Sequence, residues 1–392
     1  MPFMVDIGFI DSLKRGVRQL CSRWLYFFAM IVIPIASAFF LLGLMRNGLP
    51  LHIPAAVVDL DNTVETRQIV RNIEASAEVL ITHEVESEAA AMQLIREGKI
   101  YGFYVIPKNF TRDATAGQNP EIAYYTNSTF FIPSSLLFRS LKTNTVLTSA
   151  AIVRNYLVAS GSATDTQAQA LLQPVPLQTN MIHNPESNYS VYLSNSFIPA
   201  LLALMILLTT AYSIWHEEKM RTSPQWIAAG RGSITIALLG KLLPQTVVFS
   251  AVGIFIQSVM YGYLHFPLNC SVLQTVSTMI LFVLANQGFA VFLAGILPNL
   301  RLSLSLCSLI GVLTFSIGAF SYPLEDMYGS IAIFSYVVPA RYYFLIYVDQ
   351  MLNGIPLYYS RFYYAALLAF MLLPLLVARR IKRHALHPVY VP

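Results

Sequence analysis

The chain has 392 residues, of which 56% are hydrophobic and only 11% are charged, whereas soluble globular proteins carry roughly 25% charged residues. Most of the chain must therefore lie in lipid, which excludes an ordinary soluble enzyme and predicts a polytopic α-helical membrane protein. The net charge of +5 comes from basic residues near apolar segments, which is a topology signal, so we expect no nucleic-acid partner.

The first 23 residues predict a cytoplasmic amphipathic helix. Apolar residues recur at helical spacing from Ile7 to Leu20, with charged residues on the opposite face. Residues 24–45 then form an apolar segment long enough to be transmembrane helix 1. Ala36-Ser37-Ala38 resembles a signal-peptide cleavage site, but the apolar sequence continues through Leu44, which favours an uncleaved span.

Residues 46–190 differ from the rest of the chain because they read as a water-soluble domain. They carry 10 Lys/Arg and 13 Asp/Glu, and their hydrophobic periodicity alternates between strand and helix, which predicts an inserted α/β domain. Residues 161–180 are polar and contain prolines, so they are interpreted as a linker to the membrane. The predicted strands cover residues 54–60, 79–83, 102–107 and 121–127. Four helices are predicted: one after the first strand that ends near residue 75, one over 86–97, a short one after Pro107 and one over 134–158.

The insertion contains no group of residues that predicts catalysis. Asp59 and Asp61 follow the first strand, where they either cap the next helix, the favoured interpretation, or contact a ligand or metal. The three cysteines, Cys21, Cys270 and Cys307, all lie outside the insertion, and no metal-ligand spacing is present. We therefore expect no structural disulfide, no metal and no cofactor.

Residues 191–381 predict five further transmembrane helices, followed by a tail over 382–392. The apolar stretch 331–352 is interrupted by Pro339, Arg341 and Asp349, so it is predicted to form re-entrant or interfacial helices. The five spans are predicted over 191–215, 233–261, 271–297, 302–320 and 361–378.

The distribution of basic residues predicts which side each segment faces. If the basic tail is cytoplasmic, 13 of the 15 Lys and Arg residues outside the insertion fall in cytoplasmic segments, as the positive-inside rule requires. The sequence thus predicts a multi-pass protein of the cell inner membrane, with both termini cytoplasmic and the insertion extracytoplasmic, or periplasmic.

The order of these elements and several motifs resemble the permeases of type-2 ABC exporters. Among these permeases, the chain resembles the subgroup with a large periplasmic domain between spans 1 and 2, and the resemblance covers nearly the whole chain. The motifs are VVDLDNTVETRQIV, EAAAMQLIREGK and GFYVIPKNF in the insertion and HNPESNYSVYLSNSFIPALL from His183.

This resemblance implies a multidrug-efflux-like function. The chain would be a transport subunit and not an enzyme, exporting a hydrophobic or amphipathic compound with ATP hydrolysed by a separate ATP-binding-cassette subunit. It would work as a homodimer or beside a paralogous permease, surrounded by membrane lipid. Members of the subgroup often also use a periplasmic adaptor and an outer-membrane channel.

The segment HEEKMRTSPQWIAAGRGS, residues 216–233, resembles the coupling helix on which the ATPase docks. The resemblance assigns ATPase coupling to Glu217, Glu218, Lys219, Arg221, Thr222 and Trp226. Permeases of this type usually carry Gly-Thr after the charged run and a Glu nearby, whereas here Arg221 replaces the Gly and Pro224 replaces the Glu. The alternative is a plain solvated loop.

SIGAFSYPLEDMYGSI and VVPARYY, from Ser316 and Val337, resemble the loop and re-entrant helices that precede the last span. Together with polar residues of span 4, they give the candidate transport-path residues. Span 4 polar groups can equally serve helix packing, and tyrosines of the re-entrant region can equally anchor the chain at the membrane interface. The candidates are Asn286, Gln287, Pro323, Pro339 and Tyr342.

Two other functions compete with ATP-driven export. The chain has no GxxxxGK[ST] motif, so the energy for export must come from a partner. A secondary transporter usually places ionisable groups within its spans, and these spans contain essentially none away from their ends. A non-transporting protein whose extracytoplasmic domain is a receptor or assembly surface is the main alternative, although it leaves the coupling segment and the re-entrant region unexplained.

Overall fold

The computed structural model describes residues 2–118, 120–161, 164–172, 180, 182–184, 188–320 and 322–387. The chain divides into two compact units. Met1–Arg46 and Ile182–Pro392 form the first, called here the membrane unit, and Asn47–Met181 form the second, called the α/β unit.

Among the described residues, the membrane unit contains six helices that are long and apolar enough to cross a membrane. Helix α1, Pro2–Cys21, precedes them. The structure therefore confirms a polytopic helical membrane protein. Spans 1 to 6 are Trp24–Leu44, Tyr189–Lys219, Ile234–Tyr263, Val272–Ile296, Leu300–Ile317 and Leu357–Leu386.

A bent pair of helices lies between spans 5 and 6, at the position predicted for re-entrant helices. Gly329–Ser335 and Pro339–Leu352 meet at 80°, which fits either a broken span or a re-entrant loop. Pro339 stands in the first turn of the second helix, where its missing N–H leaves no hydrogen bond unmade. Span 6 continues to Leu386, beyond the tail boundary predicted at residue 382, because Arg and Lys end an apolar segment but are good helix formers.

Spans 2 and 4 form the centre of the membrane unit. Their most apolar windows are 67% and 72% buried, whereas those of spans 1, 5 and 6 are 22%, 22% and 11% buried. Large apolar side chains such as Phe40, Leu309 and Leu376 are exposed on the peripheral spans. These peripheral faces are suited to contact with lipid or with another membrane subunit.

The α/β unit contains a four-stranded sheet of order β2-β1-β3-β4. β1 is parallel to β2 and β3, and β4 is antiparallel to β3. Both faces of β1 are buried, since alternate residues belong to two different apolar clusters. The strands are Ile53–Asp59, Val79–Glu84, Gly102–Ile106 and Ala123–Thr126, and the helices α2 to α6 are Val64–Glu74, Glu88–Arg96, Phe110–Thr115, Phe131–Ala159 and Asp165–Leu172.

Asp59 and Asp61 are satisfied within the loop between β1 and α2. Asp59 Oδ1 accepts hydrogen bonds from the backbone N–H of Asp61 at 3.1 Å and of Asn62 at 2.9 Å, and Asp61 Oδ2 accepts one from the N–H of Thr111 at 3.0 Å. Desolvation acts to raise the pKa of Asp61, but hydrogen bonds from Thr111 and Thr63 to its carboxylate hold the pKa below its ordinary value. Thr63 is the residue that caps α2, so the two carboxylates organise the loop.

The segment predicted as a polar linker contains α6, so that interpretation is wrong for residues 165–172. Asp165 lies in the first turn of α6, where a negative charge favours a helix, and its carboxylate binds the Arg154 guanidinium of α5 at 2.6 and 2.9 Å. The polar composition of residues 165–172 suggests a linker, but most of these residues are good helix formers. Residues 173–179 of the predicted linker lie outside the described residues.

Candidate functional site

Span 2 and span 3 are joined by a short helix, α7, Ser223–Ala229. Pro224 lies in its first turn, where proline is well tolerated. Trp226 is 1% exposed, and its indole N–H donates to the carbonyl oxygen of Ala237 in span 3 at 3.0 Å. This anchor holds α7 against the beginning of span 3.

Span 2 ends in a Schellman motif just before α7. The N–H of Thr222 donates to the carbonyl of Glu217 at 2.8 Å, and the N–H of Arg221 donates to that of Glu218 at 2.9 Å. The motif requires a left-handed residue at Arg221, whose φ is +56°, and glycine is the residue best suited to that conformation. The glycine found here in the permeases that the chain resembles therefore suits the left-handed conformation, whereas Arg221 adopts this conformation with strain.

The Glu217 carboxylate lies at the centre of a buried polar network. Its Oε1 accepts from Lys241 Nζ at 2.7 Å, and its Oε2 accepts from Arg15 Nη2 at 2.9 Å and from the Thr222 hydroxyl. Lys241 also donates to Gln19 Oε1 at 3.0 Å. These five residues, called here the Glu217 network, join α1, span 2, the start of α7 and span 3.

The energetics of the network favour a fixed arrangement. The side chains of Glu217 and Lys241 are only 4% and 2% exposed, and a buried charge is costly unless it is paired and hydrogen-bonded. Lys241 Nζ also lies 4.6 Å from the centre of the Trp226 ring, a cation–π distance that links the network to α7. Separating span 2 from span 3 would break the buried ion pair, and moving α1 or the start of α7 would remove a further hydrogen bond from the Glu217 carboxylate.

Helix α1 approaches span 3 at backbone distance. A Cβ atom on Gly16 would overlap the carbonyl oxygen of Gly240, and one on Gly240 would overlap Ser12. Two glycines at this crossing therefore allow the helices to touch, which places Arg15 and Gln19 within reach of Glu217 and Lys241.

The predicted coupling residues divide into a buried set and an exposed set. Glu217, Glu218 and Trp226 are buried and Thr222 is half-buried, whereas Lys219 and Arg221 are exposed. The exposed set shares its surface with further residues of the turn and of α7. These are Met220, Pro224, Gln225 and Ala228.

Sequence reasoning did not identify three members of the network. Lys241 counts only among the basic residues of the topology argument, and Arg15 and Gln19 lie in the predicted amphipathic helix. The sequence does contain one indication, a lysine within an apolar span, because such a lysine needs a polar or charged partner inside the protein. Nothing in the sequence, however, indicates that Arg15 reaches a residue 202 positions away.

The predicted transport-path residues of span 4 have local or interhelical partners. Asn286 and Gln287 are 1% and 2% exposed. Asn286 donates to the carbonyl of Phe282 one turn earlier at 2.8 Å, and Gln287 Oε1 accepts from the Thr246 hydroxyl of span 3 at 2.6 Å. Gln287 thus contributes to the packing of spans 3 and 4, and it also lines a cavity of about 250 Å³ beside span 6.

The other path candidates lie in and before the bent pair. Pro339 is buried at the start of the second helix, and Pro323 is exposed in the preceding loop. Tyr342 is half-buried, and its hydroxyl donates to the carbonyl of Tyr336 at 3.0 Å across the bend. Tyr342 therefore stabilises the bend between the two helices.

A cavity of about 690 Å³ lies among spans 1, 2 and 5. Its wall is mostly apolar, with leucines and the rings of Tyr26 and Tyr212, and it includes the hydroxyls of Thr209, Ser305 and Ser308. None of the sequence-predicted path residues lines it. Its volume is typical of a site for a drug-sized or lipid-like molecule.

The chain matches a known protein family over most of its length. A family model described as "ABC-2 family transporter protein" matches residues 23–380. The matched region begins just after α1, includes Glu217, Lys241 and α7, and ends within span 6. A search of curated proteins found no match.

Proposed function

The chain belongs to the ABC-2 transporter family, and from that premise we propose that it is the membrane permease subunit of an ATP-driven exporter. It moves a hydrophobic or amphipathic substrate out of the cytoplasm or the inner leaflet. The family implies a separate ATP-binding subunit that supplies the energy. The proposed assembly contains two permeases, either two copies of this chain or this chain and a paralogue.

The proposed docking surface for the ATPase is the exposed face of α7 and the turn before it. Lys219, Arg221 and Gln225 supply charged and polar groups there, and the buried Trp226 keeps α7 against span 3. In this proposal Glu217, Glu218 and Trp226 do not touch the ATPase. They support the surface that does.

The observation that carries this proposal is the Glu217 network. Because one buried carboxylate binds Lys241 of span 3, Arg15 of α1 and the Thr222 hydroxyl, force applied to α7 reaches span 2, span 3 and α1 together. A plain solvated loop would not need a buried ion pair beneath it. ATP-driven movement of the partner would therefore reorient these elements as one body.

The remaining assignments follow from the charge distribution and from the form of the bent pair. We place both termini in the cytoplasm and the α/β unit on the opposite side, where it extends the export path or docks a periplasmic adaptor leading to an outer-membrane channel. Pro323, Pro339 and Tyr342 stay proposed path elements, because irregular backbone at membrane depth is tolerated where it lines a cavity or is shielded by protein. The hydrogen bond between Thr246 and Gln287 favours the packing role for Gln287, and the Asn286 amide is bound within its own helix.

The decisive experiment purifies the tagged full-length chain from its native membrane and assays ATP hydrolysis in the purified fraction. We expect an ATP-binding-cassette subunit to co-purify and hydrolyse ATP. The Arg221→Glu variant should lose most of this subunit, whereas Arg301→Glu, a charge reversal at another exposed arginine at the start of span 5, should retain it.

The outcomes separate the parts of the proposal. Wild-type protein that brings down no ATPase would contradict the permease function. An ATPase that binds wild type and Arg221→Glu equally well would leave the function standing but refute docking on α7.

A further inference from the structure

A basic pocket of about 270 Å³ lies between α1 and the end of span 2. Four residues of the Glu217 network, Arg15, Gln19, Glu217 and Thr222, contribute to its wall. Most of its charged lining is cationic. The lining includes Arg15, Arg18, Arg23, His216 and Glu217.

The positive charge of this pocket is only partly compensated. Its one carboxylate, Glu217, is already bound by Arg15 and Lys241. Arg18 and Arg23 have no hydrogen-bond or ion-pair partner for their guanidinium groups within the part of the chain that the structure describes. Two guanidinium groups facing one cavity form a site for an anion, and their planar donors match phosphate oxygens in particular.

His216 gives a second and independent indication of a ligand. The residue is 5% exposed, yet neither Nδ1 nor Nε2 of its ring has a hydrogen-bond partner among the described residues. Arg15 Nε is likewise buried without a partner. Buried polar groups are normally satisfied, and both residues belong to the wall of the pocket, where an anion would offer several acceptor oxygens.

The pocket also adjoins an apolar cavity. The His216 ring stacks on the Tyr212 ring with centroids 4.8 Å apart, and Tyr212 lines the cavity of about 690 Å³ among spans 1, 2 and 5. Gln19, in the wall of the basic pocket, donates to the hydroxyl of Tyr26, which lines the same apolar cavity, at 3.3 Å. An anionic site and an apolar site thus share one wall.

We propose that the basic pocket binds the phosphate group of an anionic phospholipid from the adjacent membrane leaflet, with an acyl chain in the apolar cavity. Arg18 and Arg23 bind the phosphate oxygens, and the His216 ring donates to one of them. Trp24, which is 75% exposed beside Arg23, suits the interface between headgroups and acyl chains. The bound lipid holds α1 against span 2. Lipid binding at this site does not depend on docking of the ATPase subunit.

The test uses the purified full-length chain in detergent, with its thermal unfolding followed as ligand is added. The three probes are dioctanoyl phosphatidylglycerol, dioctanoyl phosphatidylcholine and inorganic phosphate. Only phosphatidylglycerol should raise the melting temperature in a saturable way, since a ligand that binds the native state stabilises it. Phosphatidylcholine carries the same phosphate but adds a cation that the arginines repel.

Matched variants locate the site. Arg18→Gln and Arg23→Gln should each weaken the apparent affinity for phosphatidylglycerol about tenfold, the loss of one charge-assisted hydrogen bond. His216→Phe, which keeps the stack on Tyr212, should weaken it as well. Lys14→Gln removes one charge from the exposed surface of α1, outside the pocket, and should leave the affinity unchanged.

Three results would overturn the proposal. Equal stabilisation by phosphatidylcholine would show that the headgroup charge is not recognised. Equal stabilisation by inorganic phosphate would assign the site to a soluble phosphate compound instead of a lipid. A loss of affinity in Lys14→Gln as large as in Arg18→Gln would reduce the effect to the overall charge of α1.

Discussion

The two units of the chain each contain a short ion pair, but in different surroundings. In the membrane unit, the side chains of Glu217 and Lys241 are 4% and 2% exposed and bind each other at 2.7 Å. In the α/β unit, the Arg154–Asp165 pair is just as short, at 2.6 Å, but its side chains are 49% and 59% exposed. The same type of contact therefore lies in two different dielectric environments.

This difference indicates what each set of charges does. Exposed ion pairs are screened by water and contribute little to stability, so the α/β unit depends on the apolar clusters on the two faces of its sheet. A buried pair contributes no large net stability either, but losing one partner is costly. In the membrane unit the charges therefore fix the positions of helices whose apolar surfaces alone would allow sliding.

Removing one partner of the buried pair should have the largest effect. Lys241→Met leaves the Glu217 carboxylate buried with Arg15 as its only charged partner, and we expect the free energy of unfolding to fall by about 4 kcal/mol. Equilibrium unfolding of the full-length chain in mixed detergent micelles measures this loss.

The control for that experiment removes both charges. The double variant Glu217→Gln/Lys241→Met has no isolated buried carboxylate and should recover most of the lost stability. If the single and double variants are equally unstable, Lys241 acts through packing on Trp226 and not through its charge.

The largest effect in the α/β unit should come from an apolar residue. Leu137 of α5 is fully buried against the sheet, and Leu137→Ala should cost about 3 kcal/mol. Hydrogen exchange of the full-length chain should then be up to about 100-fold faster in β1 and β3, with no change in spans 2 and 4. Val146→Ala, on the same helix but 61% exposed, should leave exchange unaltered.

Much of the fold could be predicted because the chain has strong periodic signals. The first predicted strand, residues 54–60, differs by one residue at each end from β1, Ile53–Asp59, since an apolar run between proline and an Asp-Asn turn has few alternatives. The six predicted spans all correspond to long apolar helices. Helix α6 was not predicted because it is short and polar. Its one buried residue in the core, Ala168, contacts residues outside α6, and such contacts cannot be inferred from a pattern of eight residues.

The candidate site was predictable only in part. The position of α7 and the burial of Trp226 follow from local sequence, since a lone tryptophan in a short charged segment needs a core to pack against. The Glu217 network could not be derived, because Arg15 and Gln19 are separated in sequence from Glu217 and Lys241 by the α/β insertion and only helix packing brings them together. The basic pocket was hidden for the same reason, since its arginines counted only as topology signals.

Relieving backbone strain at Arg221 should have a smaller effect, and in the opposite direction. Arg221→Gly places glycine at a φ of +56° and should stabilise the chain by about 1 kcal/mol, because the exposed Arg221 side chain has no buried contact to lose. Lys219→Gly, two residues earlier at the helical end of span 2, should instead destabilise it by up to about 1 kcal/mol. Thermal unfolding of both variants distinguishes these signs, and a destabilised Arg221→Gly would contradict the strain argument.

The smallest effect should follow from breaking the exposed pair of the α/β unit. Arg154→Gln removes an ion pair as short as the one in the Glu217 network, yet it should change the melting temperature by no more than about 1 °C, because water already solvates both groups. Asp165→Asn should have a slightly larger effect, since it also removes the negative charge from the first turn of α6, and 1 M salt should reduce both differences. If Arg154→Gln were as damaging as Lys241→Met, contact geometry and not burial would set the importance of a charge in this chain, and the contrast between the two units would fail.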